Sequence, residues 1–166
     1  LNGSNFSGST IYYPLNTTNV ILPCIVMVPG FMNTELTVQN WGPFLASYGI
    51  VTMTIGTNAL TDSEFQRRDA LIDAIISLKD EHNRSLSPLF GRLNTSSISV
   101  GGFSKGGGGA QLVAKLDSSI KAIVALYPFI DNPIASDFDH DIPTLIIFFF
   151  LFFFEQRDLH ADIHYD

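Results

Sequence analysis

The segment that most constrains how this chain folds is the pentapeptide 102–106, which has the pattern G-x-S-x-G around Ser104. A β-branched run, Ser-Ile-Ser-Val at 97–100, precedes the pentapeptide, and three more glycines at 107–109 follow it. This order predicts a strand, a sharp turn and a helix, the context in which a G-x-S-x-G serine lies at the apex of the turn. A serine there adopts strained backbone angles, and the glycines on either side let the strand and the helix approach each other.

The predicted turn would allow Ser104 a role in catalysis, because the turn would project the serine hydroxyl from the carboxyl end of a sheet. It would also place the backbone N–H of Lys105 at the positive end of a helix, where an oxyanion is stabilised. We therefore interpret Ser104 as a candidate nucleophile. The alternative interpretation is a loop rich in glycine and serine that carries no chemistry.

Strand and helix patterns alternate along the rest of the chain. Strands are predicted at residues 9–13, 20–28, 50–55, 97–101 and 120–126, and from residue 143 onward. Helices are predicted at residues 41–48, from a Ser63–Gln66 capping box to about His82, and after Ser104. The alternation predicts a three-layer α/β fold with a mainly parallel sheet covered on both faces. Ligands of such sheets bind outside the carboxyl ends of the strands, so the loops after Val28, Val100 and Leu126 form the candidate site.

Composition and charge exclude several classes of protein. The formal net charge is −7 and the largest basic cluster is Arg67-Arg68, which argues against nucleic-acid binding. Cys24 is the only cysteine, so no internal disulfide forms, and its apolar neighbours predict a buried thiol. The apolar run 142–154 is too short for a membrane span, which needs about 20 residues. Its first half is expected to be a buried strand, whereas the phenylalanine-rich part 148–154 would promote aggregation if exposed.

Six segments resemble one known family in their order and spacing. They are residues 28–31, 41–49, 54–58, 102–109, 120–126 and 143–147. Together they look like the bacterial cutinase and polyethylene-terephthalate (PET) hydrolase group of the α/β-hydrolase superfamily, with dienelactone hydrolases as more distant relatives. The resemblance spans residues 9–147 and implies a single α/β-hydrolase domain over 1–166, whose C-terminal part, 148–166, is divergent and incomplete. It also implies a secreted enzyme that acts on an ester or polyester and needs no metal or other cofactor.

The resemblance implies roles for four residues. Ser104 resembles the family's nucleophile, and Lys105 resembles the residue after it, usually Met, whose N–H forms half of the oxyanion hole. Only the backbone of Lys105 is needed for this role, so its side chain is expected to be free to vary. Phe31 resembles the aromatic residue that supplies the other N–H and lines the substrate cleft, and Phe129 lies where the family usually has a substrate-stacking Trp. Both phenylalanines could instead be ordinary packed aromatics.

The acid of a catalytic triad has two possible positions. Asp158 is the candidate acid, because a strand, a short polar turn and an Asp form the family pattern. In another register, the segment 160–165 resembles the family's His-Ala-x-x-x-Tyr segment, and Phe152 then takes the acid position.

No histidine of the chain matches the family's catalytic base. His82 ends a predicted helix and His140 precedes the last predicted strand, and both are expected to be solvated. His160 and His164 are candidates because they follow Asp158, although they come earlier than the family's histidine. The alternative for both is a tail without a catalytic role.

We interpret the chain as a serine carboxylic-ester hydrolase of the cutinase or PET hydrolase type that works through an acyl-enzyme on Ser104. The alternative is a catalytically impaired or inactive hydrolase-like binding domain, because the base is not identified. For the same reason, the 166-residue chain is expected to be a weak catalyst or none. A lactone hydrolase of the dienelactone type is a third alternative, but that type typically has Cys at the nucleophile position. The identity of the ester and the oligomeric state stay open.

Overall fold

Strands alternate with helices along the chain, as the sequence predicts. A computed structural model describes residues 1, 3–15, 17 and 20–148. The strands of this part are β1 (Phe6–Tyr12), β2 (Leu22–Val28), β3 (Val51–Thr57), β4 (Leu93–Phe103), β5 (Ile120–Leu126) and β6 (Thr144–Ile147). Its helices are α1 (Leu36–Gln39), α2 (Trp41–Ser47), α3 (Glu64–Asn83) and α4 (Lys105–Leu112), with a short 3-10 helix at Ala135–Asp137.

The described strands form one sheet in the order β1-β3-β2-β4-β5-β6. β1 runs antiparallel to β3, and the other neighbouring pairs are parallel. The predicted mainly parallel α/β sheet is therefore confirmed. Because β2, β4 and β5 run in the same direction, their last residues, Val28, Phe103 and Leu126, lie at one edge of the sheet, which is where ligands of such sheets bind.

Alternate residues of β2 supply two cores on opposite faces of the sheet, because successive side chains of a strand point to opposite sides. Val26 and Val28 pack in a core to which α3 and α4 contribute, whereas Ile25 and Met27 pack against the face that carries Val38 of α1. Helices therefore cover both faces, which explains why the sequence of β2 is almost continuously apolar.

The longest helix, α3, has the predicted start. Ser63 Oγ accepts a hydrogen bond from Gln66 N–H (3.3 Å), and Gln66 Oε1 accepts one from Ser63 N–H (2.8 Å). This reciprocal pair satisfies two backbone donors that a helix start leaves unpaired, so the capping box is confirmed. Leu71 and Leu78 are fully buried on the face of α3 that packs against the sheet.

Several boundaries differ from the prediction because tertiary pairing overrides local sequence preference. β4 begins at Leu93, although residues 94–97 are polar, since Leu93 is buried and pairs with Leu22 of β2. β1 begins at Phe6 rather than residue 9, because Phe6 is buried and pairs with Thr57. The helix α1 was not predicted, and its four residues are too few to show a periodic pattern.

The prediction of a buried last strand was wrong for β6. Leu145 is 57% exposed and Ile147 is 37% exposed. The strand lies beside β5 at the end of the described sheet order, and no described helix packs closely on it, so its apolar side chains stay exposed. Most of the phenylalanine-rich run, residues 149–154, lies outside the described residues. None of the described helices is long and apolar enough to cross a membrane.

Candidate active site

Ser104 lies at the turn between β4 and α4, where the sequence predicts it. Its backbone angles are φ 53° and ψ −122°, a combination outside the regions that L-residues normally occupy. Its N–H donates a hydrogen bond to Leu126 O (2.8 Å). Its carbonyl accepts hydrogen bonds from Gly108 N–H (3.0 Å) and Phe129 N–H (3.1 Å). The surrounding backbone therefore holds one strained serine at the carboxyl edge of the sheet, as is common at functional sites.

Two glycines bring this turn close to the loop that follows β2. A Cβ atom on Gly106 would lie 2.5 Å from the carbonyl oxygens of Val28 and Pro29, closer than non-bonded atoms approach. A Cβ atom on Gly30 would lie 2.9 Å from Ser104 Cβ. Glycine is needed at both positions because the turn and the loop are in backbone contact there.

The same contact brings the two expected oxyanion donors toward Ser104. Lys105 is the first residue of α4, and Phe31 belongs to the loop that packs against Ser104. No described residue accepts a hydrogen bond from the backbone N–H of Phe31 or Lys105. The following N–H, that of Met32, is occupied because it donates to Leu60 O (2.8 Å). The oxyanion role of Phe31 and Lys105 stays a prediction.

Arg67, a fully buried arginine on α3, holds the loop that carries Phe31. Its Nε donates to Pro29 O (3.0 Å), and its Nη2 donates to Gly30 O (2.8 Å) and Leu60 O (3.1 Å). Burial lowers the pKa of the Arg67 guanidinium, and the neighbouring carboxylates, that of Asp62 foremost, oppose this shift. One side chain thus fixes two consecutive carbonyls immediately before Phe31.

Sequence reasoning missed this role of Arg67, which it treated only as part of a small basic cluster. A signal was present in the spacing of α3. Arg67 is followed at helical intervals by Leu71, Ala74 and Leu78, and all four are fully buried. A charged residue in line with the apolar face of a helix indicates a buried group that hydrogen-bonds to another part of the fold.

The Lys105 side chain makes charged and aromatic contacts that the sequence does not predict. Its Nζ lies 3.3 Å from Glu64 Oε2 and forms a second ion pair with the carboxylate of Asp131. The same ammonium lies 5.5 Å from the centre of the Phe31 ring and 5.6 Å from that of Phe129. Sequence reasoning missed these contacts because it considered only the backbone of Lys105.

Lys105 and its two carboxylate partners form a partly buried cluster of charges, which affects the pKa of Lys105. Glu64 is 1% exposed, and its Oε1 accepts a hydrogen bond from Asp131 N–H (2.9 Å). Burial alone would lower the pKa of Lys105, but the hydrogen bond to Asp131 and the charge of Glu64 outweigh it, so the pKa is raised above the ordinary lysine value. Lys105 therefore stays charged throughout the neutral range.

Phe31 and Phe129 are placed near each other through the ammonium that both rings contact. Phe31 is 45% exposed and Phe129 is half-buried. An exposed aromatic ring next to a strained serine suits a cleft that receives an apolar group, whereas a packed core aromatic would be buried. Their role in substrate binding stays a prediction.

The structure does not place the candidate triad partners. Asp158, His160, His164 and Phe152 lie outside the described residues. The roles of these residues therefore stay predictions.

The two described histidines cannot act on Ser104. His82 is half-buried, and its Nδ1 accepts a hydrogen bond from Leu93 N–H (3.0 Å) at the amino end of β4, roughly 30 Å of strand away from Ser104. His140 Nδ1 accepts from Ile142 N–H (3.2 Å) just before β6, at the same opposite edge of the sheet. Both are half-buried, so they are only partly solvated, and burial lowers the pKa of His140.

The described residues contain no group of three or more His, Cys, Asp or Glu side chains that could hold a metal ion. Cys24 is buried, as predicted, and burial raises the pKa of its thiol to about 11. The candidate chemistry of the described part therefore rests on the serine turn and the groups packed around it.

Comparison with known proteins identifies relatives along most of the chain. A family model described as PET hydrolase-like matches residues 1–150. Lipase 1 of Moraxella sp. (strain TA144) is 34% identical over 146 residues, which cover 86% of this chain and 42% of the lipase. Bis(hydroxyethyl) terephthalate hydrolase of Streptomyces coelicolor is 33% identical over 144 residues, with coverages of 87% and 44%.

Cutinase 1 of Thermobifida cellulosilytica is also similar, with 35% identity over 147 residues that cover 89% of this chain and 53% of the cutinase. The chain thus spans about half the length of the curated relatives it matches.

Proposed function

The chain belongs to the PET hydrolase-like family, and from this premise we propose that it hydrolyses carboxylic esters through an acyl-enzyme on Ser104. The observation that carries the proposal is the strained backbone of Ser104 beside two N–H groups that have no acceptor among the described residues. A nucleophilic serine needs a strained turn of this kind, and the tetrahedral intermediate needs two such donors.

The proposed reaction follows the double-displacement scheme of serine hydrolases. A general base takes the Ser104 hydroxyl proton as Oγ forms a bond to the ester carbonyl carbon. The carbonyl oxygen becomes an oxyanion that accepts hydrogen bonds from the N–H groups of Phe31 and Lys105. The C–O bond to the alcohol then breaks, and the alcohol leaves with the proton held by the base. Water attacks the resulting acyl-serine, which releases the acid and restores the hydroxyl.

The base and the acid of this scheme are assigned to residues after the described part. We propose that His164 or His160 is the base and that Asp158 is the acid. The two histidines can be separated by the single variants His160→Ala and His164→Ala. The variant that removes the base should lose most of the acylation rate, since loss of one triad member leaves only the residual catalysis of the oxyanion hole and of binding.

The proposed substrates are neutral esters with an apolar acyl group, including polyesters. Relatives of this chain are named as a cutinase and as a bis(hydroxyethyl) terephthalate hydrolase. The exposed Phe31 ring and the Phe129 ring, which contact the same Lys105 ammonium, would contact the acyl group. A polymer cannot enter a cell, so we propose that the protein acts after secretion.

The proposal is tested with p-nitrophenyl butyrate in a stopped-flow spectrophotometer. Because the chain is expected to be a weak catalyst, we expect a burst of p-nitrophenolate close to the chain concentration with little turnover after it, and a butyryl adduct on the peptide that contains Ser104. Ser104→Ala should abolish both signals, whereas Ser99→Ala on β4 should keep them. Binding of a non-hydrolysable ester analogue without any burst would overturn the proposal and favour the inactive binding domain.

A further inference from the structure

The Lys105 side chain connects four separate segments of the candidate site. It begins at the serine turn, and its ammonium is paired with Glu64, the first residue of α3. It is also paired with Asp131, after β5, and contacts the Phe31 ring of the loop after β2. Because its one ammonium contacts all these segments, Lys105 lies at the centre of the described site and is not an ordinary surface lysine.

The environment of Lys105 fixes the ammonium tightly. The Lys105 side chain is 16% exposed and that of Glu64 is 2% exposed. Glu64 is itself held, because it accepts a hydrogen bond from the backbone of Asp131. A paired charge with so little access to water is confined in position, since any displacement would leave a buried carboxylate unpaired.

The confined ammonium contacts two aromatic rings, and these contacts bear on where the rings lie. The Phe31 and Phe129 rings both lie within cation–π distance of Nζ, at 5.5 and 5.6 Å. Phe31 is otherwise 45% exposed, so few other groups restrict where its ring lies. The position of the ammonium therefore restrains the Phe31 ring relative to Phe129.

We propose that the Lys105 side chain is a positioning residue that fixes the Phe31 ring relative to the Phe129 ring and so gives the site a preference for aromatic over small acyl groups. This inference rests on the proposed function, because a preference among esters requires acylation of Ser104. It goes beyond the oxyanion role of Lys105, which uses only the backbone N–H.

The test uses variants that change the ammonium but not the backbone. Lys105→Met alone would leave Glu64 buried and unpaired, so Lys105→Met is combined with Glu64→Gln, which removes that charge. Lys105→Arg is the conservative variant that keeps a cation able to contact both rings. Lys115→Met is the matched control, because Lys115 is 45% exposed, donates a hydrogen bond to Ser136 O (3.0 Å) and forms a long ion pair (3.6 Å) with exposed Asp139.

The readout is the ratio of the acylation rate constants for p-nitrophenyl benzoate and p-nitrophenyl acetate. The double variant should lower this ratio by roughly three- to tenfold, the value of one aromatic stacking contact. Lys105→Arg should restore most of the ratio, and Lys115→Met should leave it unchanged. A double variant that melts as the parent does but keeps the parent ratio would overturn the inference, as would an equal loss for both esters.

A second readout does not depend on catalysis. 4-Fluorophenylalanine is placed at position 31 or 129, and its ¹⁹F resonance is compared between the parent and the variants. Both resonances should move in the double variant and stay in place in Lys115→Met, and unmoved resonances in the double variant would overturn the inference. If the parent shows no acylation of Ser104, the proposed function fails, and the ¹⁹F shifts alone decide whether Lys105 positions the rings.

Discussion

The strain at Ser104 predicts that glycine is more stable than alanine at this position. Both variants remove the hydroxyl, so they differ in how well each residue tolerates φ 53° and ψ −122° and in the entropy of the unfolded chain. A residue with a Cβ in such a sparsely populated region costs about 1–3 kcal/mol. Glycine avoids this cost, but the greater entropy of its unfolded chain lowers the folding stability by about 0.5–1 kcal/mol relative to alanine. We therefore expect Ser104→Gly to exceed Ser104→Ala in unfolding free energy by about 1 kcal/mol.

The difference is measured by urea unfolding at 25 °C and by thermal melting, where about 1 kcal/mol corresponds to roughly 2–4 °C for a domain of this size. The matched control is Ser99 on β4, which lies in the same strand and has no positive φ. There Ser99→Gly should be less stable than Ser99→Ala by about 0.5–1 kcal/mol, which is the opposite sign.

The outcome separates strain from a general effect of glycine. If Ser104→Gly is no more stable than Ser104→Ala while the Ser99 pair behaves as expected, the turn stores no strain. The surrounding hydrogen bonds, from 2.8 to 3.1 Å, would then hold a relaxed conformation, and the structural reason for assigning a nucleophile to Ser104 would be lost.

Three further predictions concern buried groups outside the turn. Arg67→Met should cost about 3–5 kcal/mol of stability in urea unfolding, because it leaves three carbonyls without their buried donor. The Cys24 thiol should not react with Ellman's reagent at pH 8 until the chain unfolds, because burial raises its pKa to about 11 and the thiolate is the reactive form. The hydrogen bond from Arg84 foremost lowers the pKa of Glu81, so Glu81 stabilises the fold above the unfolded glutamate pKa of about 4.3 and this contribution is lost as the pH falls through the folded value. Glu81→Gln should therefore flatten the pH dependence of unfolding below about pH 4.

Each of these predictions has its own control or contrary result. Arg68→Met is the matched control for Arg67, since Arg68 is partly exposed and pairs with the adjacent Asp69. Equal losses for the two arginine variants would contradict the role of Arg67. Labelling of Cys24 in the folded chain at the rate of a free thiol would contradict its burial, and parallel pH curves for the parent and Glu81→Gln would contradict the lowered pKa of Glu81.

The parts of the fold that sequence alone predicts are those encoded by neighbouring residues. The glycines around Ser104 predict the turn because only glycine permits the backbone contacts that such a turn makes. The Ser63–Gln66 pair predicts the start of α3, because capping is a contact between residues three positions apart. The apolar run of β2 predicts burial on both faces for the same local reason.

The parts that sequence did not predict depend on contacts between distant segments. Arg67 bonds to a loop 37 and 38 residues earlier in the chain, and Lys105 pairs with Glu64 across 41 residues. No local pattern specifies either partner. The exposure of β6 likewise follows from the lack of a described helix packed closely on it, which its own apolar sequence does not reveal.

The central claim is that Ser104 is a nucleophile, and covalent labelling tests it most directly. The protein is incubated with a fluorophosphonate and digested, and the modified residue is located by mass spectrometry. The account predicts a single phosphonyl adduct on Ser104, which does not form in Ser104→Ala or when the parent is unfolded in urea before the reagent is added. An unmodified Ser104 in the folded chain, or adducts spread equally over other serines, would contradict it.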